Sequence, residues 1–513
     1  MTGRVNGIEA LAGDMTRSRP ARRWVVTAVV AAAVLALLTR PGAAHGGTLR
    51  LSGSSPQVPF WLVSLTGGGV IGVSFLFAAL VTDHDLIRDV AATGRRLGAI
   101  PASLTGLARA AGVAGFVVVV AVGLVGPSTP TANLAVLAIW VGWWAGFTAL
   151  TYLAGNAWPA INPWRTLAAL LPAGDRRVSP RAATAISVGG LLALVYLEVL
   201  SPLSEDPVLL VAAVLAYSLA TLVGAVVVGD GWFERVDPIS RVFRLYGRIA
   251  PIQRTGDGLR LSLPGAELTR PPATDPRPGE RAGSAVDPEP AGGSSRADGG
   301  TAAARSQDRG AWWARREGDA TFVVALLWVT TFDGLVSTAA WETFARAAVG
   351  VGVPAHALYV AVLLVGFGVF LVGYRLACRL SRRTGNSYVS VPEIRVRFAP
   401  SLLPIAAGYH LAHYLDYLLS LLPSLAVVAT DPLSPPASLP VLTLPGWFGG
   451  VGLLAIVAGH VLAVAVAHAV AFETFTGRLQ PIRSQYPFIL VMVLYTTVSL
   501  WLVSQPTVEP PFV

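Results

Sequence analysis

The 513-residue chain contains no lysine: all 38 of its basic residues are arginine. That excludes a P-loop lysine for nucleotide phosphates and a lysine Schiff base. It has one cysteine, Cys378, which excludes an internal disulfide, a CxxC redox pair and any cluster of cysteine ligands. Charge is also scarce, at 13% of residues against about 25% in soluble domains. There is no HExxH and no GxSxG, so neither a zinc-protease helix nor a hydrolase nucleophile elbow is written in the chain.

Long uncharged runs are abundant instead. Ten segments have the length and polarity of membrane helices: 58–81, 107–126, 132–153, 181–201, 207–229, 319–340, 355–378, 398–427, 447–471 and 486–504. They are too long for barrel strands, and open sheets cannot span lipid. The expected fold is therefore all-α, a polytopic transmembrane bundle of about ten helices. The net charge of +9 belongs to loops at the membrane surface rather than to a nucleic-acid partner.

Residues 1–44 read as a signal peptide or signal anchor. Arg17, Arg19, Arg22 and Arg23 precede an apolar core from Trp24 to Leu38 and the small residues Gly42-Ala43-Ala44. Cleavage after Ala44 would leave His45 at the new terminus, where an amine beside an imidazole suits Cu(II). The plainer alternative is a stray histidine behind a signal.

With that terminus outside, the arginine-rich loops fall inside. They carry Arg88, Arg95 and Arg96; Arg165, Arg176 and Arg177; Arg235 to Arg260; Arg379, Arg382, Arg383, Arg395 and Arg397; and Arg478 and Arg483. The opposite loops are short and neutral or acidic, Arg346 being the exception. The positive-inside rule thus predicts a cytoplasmic-membrane protein with both mature termini outside. Two five-helix halves, 45–229 and 319–513, flank a cytoplasmic loop at 230–318. The start of this loop, 230–252, is amphipathic and Arg-rich, as for a helix lying on the membrane surface. Its part at 271–309, rich in Pro, Gly and Arg, reads as a disordered linker. No convincing repeat relates the two halves, which leaves an inverted-repeat architecture unsupported rather than excluded.

Gly67-Gly68-Gly69-Val70-Ile71-Gly72 fits GxGxxG but has no strand before it, so Gly68 and Gly72 are read as a helix-packing face. Asn156 to Arg165, with two Asn, two Pro and two Trp, reads as a turn with aromatic anchors at the interface.

Chemistry concentrates where ionisable residues interrupt apolar runs, since such residues at membrane depth mark function by default. The stretch 399–422 holds His410, His413 and Asp416, with the two histidines on one helix face. The next helix carries His460 near its middle and His468 two turns on. Asp333 lies inside the sixth segment beside Gly334, which suggests a local helix break. Glu198, near the end of the fourth, reads as interfacial. His413 and His460 should face each other near the midplane, with Asp333 as neighbour. Three imidazoles and a carboxylate suit copper, zinc or iron; two facing imidazoles suit haem b; a His/Asp chain suits proton relay. Histidines hydrogen-bonded to Tyr409, Tyr414 or Tyr417 are the bland alternative.

Several short stretches resemble a bacterial and archaeal group of multi-pass membrane proteins often labelled fenitrothion hydrolase. They are Ala44-His45-Gly46, Thr131-Ala132-Asn133-Leu134, Asn162-Pro163-Trp164-Arg165, Thr331-Phe332-Asp333-Gly334, Ala412-His413-Tyr414, Gly459-His460-Val461, Ala467-His468 and Ser484-Gln485-Tyr486. The resemblance spans most of the chain beyond residue 44, apart from 271–309. It implies a membrane bundle and sets His410 aside in favour of His413, His460, His468 and Asp333. Hydrolysis as the label implies normally needs a metal-activated water, or a nucleophile with its base.

The expected function is a membrane transporter, or a metal- or haem-handling protein, whose cofactor or metal ligands come from His413, His460, His468 and Asp333, with His45 as a separate metal ligand. Its partners are the lipid bilayer and a small solute or metal ion. A membrane-embedded metal-dependent hydrolase and an assembly protein without a site are the alternatives.

Overall fold

The structure, a computed structural model, describes residues 60–255, 258–269, 299–505 and 508–512. The signal segment, His45 and most of the linker at 271–309 lie outside the described residues. Helix α1 (Phe60–Leu80) is followed by α2 (His84–Ala92), strand β1 (Gly94–Gly98) and α3 (Ala102–Val125). Next come the span Leu134–Leu153, here α4, and short α5 (Trp158–Ile161) and α6 (Pro163–Ala168). They are followed by α7 (Pro180–Leu200), α8 (Pro207–Val228), α9 (Gly231–Arg235) and α10 (Pro238–Tyr246). Strands β2 (Ile252–Thr255) and β3 (Gly258–Ser262) precede α11 (Ala266–Thr269), α12 (Gly299–Val336) and α13 (Ala339–Gly350). The second half closes with α14 (Ala355–Thr384), α15 (Val391–Phe398), α16 (Leu403–Thr430), α17 (Gly449–Thr474) and α18 (Leu479–Ser504).

Among the described residues, nine helices are long and apolar enough to cross a membrane. The segment expected at 58–81 supplies a tenth when α1 and α2, bent by 112°, count as one span. The protein is thus an all-α bundle with many apolar helices, as a multi-pass membrane protein requires. The three strands form one small antiparallel sheet in the order β1-β3-β2. Helix α12 begins at Gly299, inside the segment read as disordered linker, where Ala302, Ala303 and Ala304 are strong helix formers.

Many helix starts are written locally. Asn162-Pro163, Ser179-Pro180, Asp206-Pro207 and Asp237-Pro238 each place a capping side chain before a proline. In every case the cap accepts a backbone N–H of the first turn, and proline occupies a position that lacks an intrahelical acceptor anyway.

Helix α12 is the axis of the bundle. Its apolar window is 78% buried, against 11% for α3, which therefore lies on the outside of the bundle. Helices α7, α14 and α16 pack around it. The most extensive helix–helix packing joins α16 to α17. A Cβ on Gly459 would lie 2.4 Å from the Pro404 carbonyl oxygen, and one on Gly408 2.5 Å from that of Ala455. Small residues let backbones approach this closely in a membrane, where packing rather than hydrophobicity drives association. At α1, Gly67 and Gly68 meet α18, while Gly72 faces open space, so the packing face is shifted from the expected Gly68/Gly72 pair.

The amphipathic stretch after α8 turns its apolar face into the bundle rather than toward lipid. In α10, Pro238, Val242, Phe243, Leu245 and Tyr246 are buried against the bundle. Arg241, its side chain 4% exposed, binds Asp319 of α12 at 2.9 Å, and Arg244 binds the same carboxylate at 2.8 Å. Burial draws the Arg241 guanidinium pKa down, and Asp319 holds it up. Asp237 accepts hydrogen bonds from Ser240 N–H at 3.0 Å and from the Tyr217 hydroxyl. The Asn156 to Arg165 turn folds beneath this helix: Trp158 Nε1 and Asn162 Nδ2 both donate to Ser240 Oγ at 3.3 Å. Trp158 and Trp164 are accordingly buried in protein rather than anchored at the lipid interface.

Gly459→Val should overpack the α16–α17 crossing and lower stability by about 1–3 kcal/mol, read as denaturant unfolding in detergent. Gly69→Val, at a glycine with nothing within 4 Å, should leave it unchanged.

Candidate functional site

The histidine helix α16 runs unbroken through Tyr409, His410, His413, Tyr414 and Tyr417 because its sequence offers no breaker until Pro423, which the helix accommodates. Spacings of three and four put His410, His413, Tyr414 and Tyr417 on neighbouring faces. Helix α12 brings Asp333 opposite them. It does not break at Gly334; it continues to Val336, and α13 restarts after Thr338. Gly334 has a different purpose. A Cβ there would lie 1.7 Å from the Tyr409 hydroxyl oxygen, so the missing side chain is the notch that seats Tyr409 of α16 beside Asp333.

His413 Nε2 stands 2.7 Å from Asp333 Oδ2, with both side chains 9% exposed. Tyr414 donates to Glu198 Oε1 at 2.9 Å, and its hydroxyl lies 3.4 Å from the same Asp333 oxygen. Glu198 of α7, read from sequence as interfacial, is 9% exposed and belongs to this cluster. A carboxylate, a phenol, a second carboxylate and an imidazole thus form one hydrogen-bonded chain across α7, α16 and α12.

His410, set aside by the family resemblance, adjoins the chain. Its ring lies 4.8 Å from that of Tyr414, and its Nδ1 is 3.1 Å from the Tyr152 hydroxyl. The Trp144 and Tyr246 rings lie 5.7 and 6.3 Å away. Trp144 comes from an unusual part of α4. Residues Ala138–Phe147 form ten residues of π-helix, which packs against α16. Such wide turns are rare, usually single, and concentrate at functional sites.

The other expected ligands lie elsewhere. His460 is fully buried; its Nδ1 donates to the Ile456 carbonyl at 2.8 Å, and its ring packs on Tyr495 at 5.8 Å. In place of the expected face-to-face pairing, the described ring contacts of His413 are with Tyr409 and Tyr414, and that of His460 is with Tyr495. His468 Nε2 donates to the Val81 carbonyl at 2.9 Å, and its Nδ1 accepts from Gln485 at 3.3 Å. That fixes its tautomer and makes it a strut between α17, the end of α1 and α18. Asp416 is exposed, with Ser420 at 3.4 Å. Among the described residues, no group of three or more His, Cys, Asp or Glu is placed to hold a metal ion. The set His413, His460, His468 and Asp333 is therefore not assembled; only His413 and Asp333 meet.

Tyr414 carries one proton, so it donates to one carboxylate at a time. Asp333 Oδ2 serves as acceptor for the imidazole. The cluster reaches zero net charge as imidazolium, one carboxylate and one carboxylic acid, or with all three groups neutral, and low dielectric penalises any net charge. Moving the acid proton along Glu198, Tyr414 and Asp333 conserves that charge, whereas losing it leaves a net negative charge within the bundle. Comparison with protein-family models, curated protein sequences and solved structures returns no match for this chain.

Tyr414→Phe removes only the bridging hydroxyl. It should cost about 1–3 kcal/mol of stability by leaving a buried carboxylate short of a donor, measured by denaturant unfolding. Tyr486→Phe, at a half-exposed tyrosine, should be neutral within about 0.5 kcal/mol.

Proposed function

We propose that the protein is a proton-linked membrane transporter, with the Glu198–Tyr414–Asp333–His413 chain as the group that takes up and releases the coupling proton. One observation carries this reading: an imidazole–carboxylate pair at 2.7 Å, buried within a bundle of apolar spans and bridged by Tyr414 to a second buried acid. Ionisable residues at such depth are costly, and chains of them form proton relays in pumps and transporters. The four groups come from three helices, α7, α12 and α16, so a small relative movement of these helices would break or remake the chain. That is the coupling a transporter needs, since proton affinity then differs between its two states.

A metal- or haem-handling role draws less support, because the two histidines expected to face each other bind separate partners. A metal-dependent hydrolase draws less for the same reason: the described ligand set does not converge. His410, packed against Tyr414, is placed to exchange a proton with the chain after a ring rotation.

The test uses the full chain in liposomes carrying an internal pH dye and an imposed pH gradient, screened against small organic and inorganic solutes. The expected result is solute-dependent proton flux that Asp333→Asn and His413→Gln abolish and Tyr414→Phe reduces. Solute-driven flux that survives both of the first two substitutions would contradict the assignment.

A further inference from the structure

The arginine-rich end of the bundle carries a cavity between the ends of α7 and α8, lined by Asp175, Arg176, Arg177, Val178, Val228 and Arg235 among others. Its wall is a fixed piece of backbone. Gly174 N–H donates to the Val226 carbonyl at 2.8 Å, and Arg176 N–H to that of Val227 at 3.3 Å, which pins the segment after α6 to the last turn of α8. A Cβ on Gly174 would lie 2.4 Å from both carbonyl oxygens, so glycine is required for this approach. Gly229, at φ +71°, ends α8 alongside. The arginines are thus presented on a docked wall rather than on a loose loop.

Three arginines and one aspartate are among the residues that line the cavity. The Arg176, Arg177 and Arg235 side chains make no hydrogen bond or ion pair with another described residue, whereas Arg241 and Arg244 close by share Asp319. The cavity also has a fixed depth. Helix α7 begins at Pro180 and α8 ends at Val228, and both are apolar enough to span a bilayer. The guanidinium groups therefore sit where the apolar length runs out, at the level of lipid headgroups. Val178, Ala183, Val228 and Val236 give the cavity an apolar side toward the bundle.

We propose that this cavity binds the phosphate diester of an anionic phospholipid whose headgroup carries free hydroxyls, as in phosphatidylglycerol. Guanidinium forks match phosphate oxygens bidentately. Basic pockets at the ends of membrane helices are suited to anionic headgroups. Asp175 leaves the rim net positive and offers an acceptor to the headgroup hydroxyls. The lipid would tie α7, which carries Glu198, to α8 at the membrane surface.

The test uses the full-length protein reconstituted in equal phosphatidylglycerol and phosphatidylcholine, then purified in detergent, with retained lipid counted by mass spectrometry. Wild-type protein should retain phosphatidylglycerol in preference. The combined Arg176→Ala, Arg177→Ala and Arg235→Ala variant should lower that retention by roughly tenfold. Gly174→Val, which unseats the wall without changing charge, should lower it too. Combined Arg379→Ala, Arg382→Ala and Arg383→Ala, at the arginine-rich end of α14, should leave it unchanged. Unaltered unfolding midpoints show that each variant is folded. Retention unchanged in the first variant, or equally reduced in the α14 control, would overturn the proposal. Displacement of the lipid by millimolar inorganic phosphate would assign the cavity to free phosphate and overturn the lipid as its occupant.

Discussion

A carboxylate placed among apolar helices must find a compensating charge or a proton, and Asp333 finds both possibilities in His413. Much of the second half of the bundle can be read as support for that contact. Helix α12 presents Asp333 from the axis, where lipid cannot reach it. Helix α16 presents His413 from the facing side. Gly334 admits Tyr409 next to the pair and so fixes the approach of α16 to α12. From Asp333 the network extends through Tyr414 to Glu198, which adds α7 to the same unit.

Two further devices hold the geometry in place. The glycine crossing of α16 and α17 brings the backbones into contact, leaving little freedom for α16 to slide. At the arginine-rich end, α10 is strapped to α12 by Arg241 and Arg244 on Asp319, and its last residue, Tyr246, reaches His410. A segment outside the spans thereby touches the neighbourhood of the buried cluster. The ten-residue π-helix in α4 is the one wide-turn element in this surrounding, and it lies directly against His410 and Tyr414.

The spans were legible in the sequence because bilayer thickness dictates the length of an uncharged run. Asp333 and His413 were legible for the same reason: an ionisable residue in such a run has to be accommodated. The expected partner His460 was at a suitable depth, but depth follows from rise per residue, whereas the direction a side chain faces depends on helix rotation and packing. Sequence alone gives the former. Glu198 reads as interfacial in the sequence because its partner Tyr414 lies 216 residues away. Amphipathicity misled at α10, since its apolar face suits a membrane surface and a protein groove equally, and the partner of Arg241 is 78 residues off. The π-helix left no sign in composition.

The central claim is that His413 and Asp333 form a proton-exchanging pair inside the bundle. It is tested most directly by solid-state ¹⁵N NMR of histidine-labelled protein in lipid, compared between wild type and Asp333→Asn across pH. The account predicts one imidazole with a strongly hydrogen-bonded, protonated Nε2 in the wild type, assigned by its loss in His413→Gln, whose protonated state weakens or vanishes in Asp333→Asn. A His413 signal that is neutral at every pH and identical in the two proteins would contradict it.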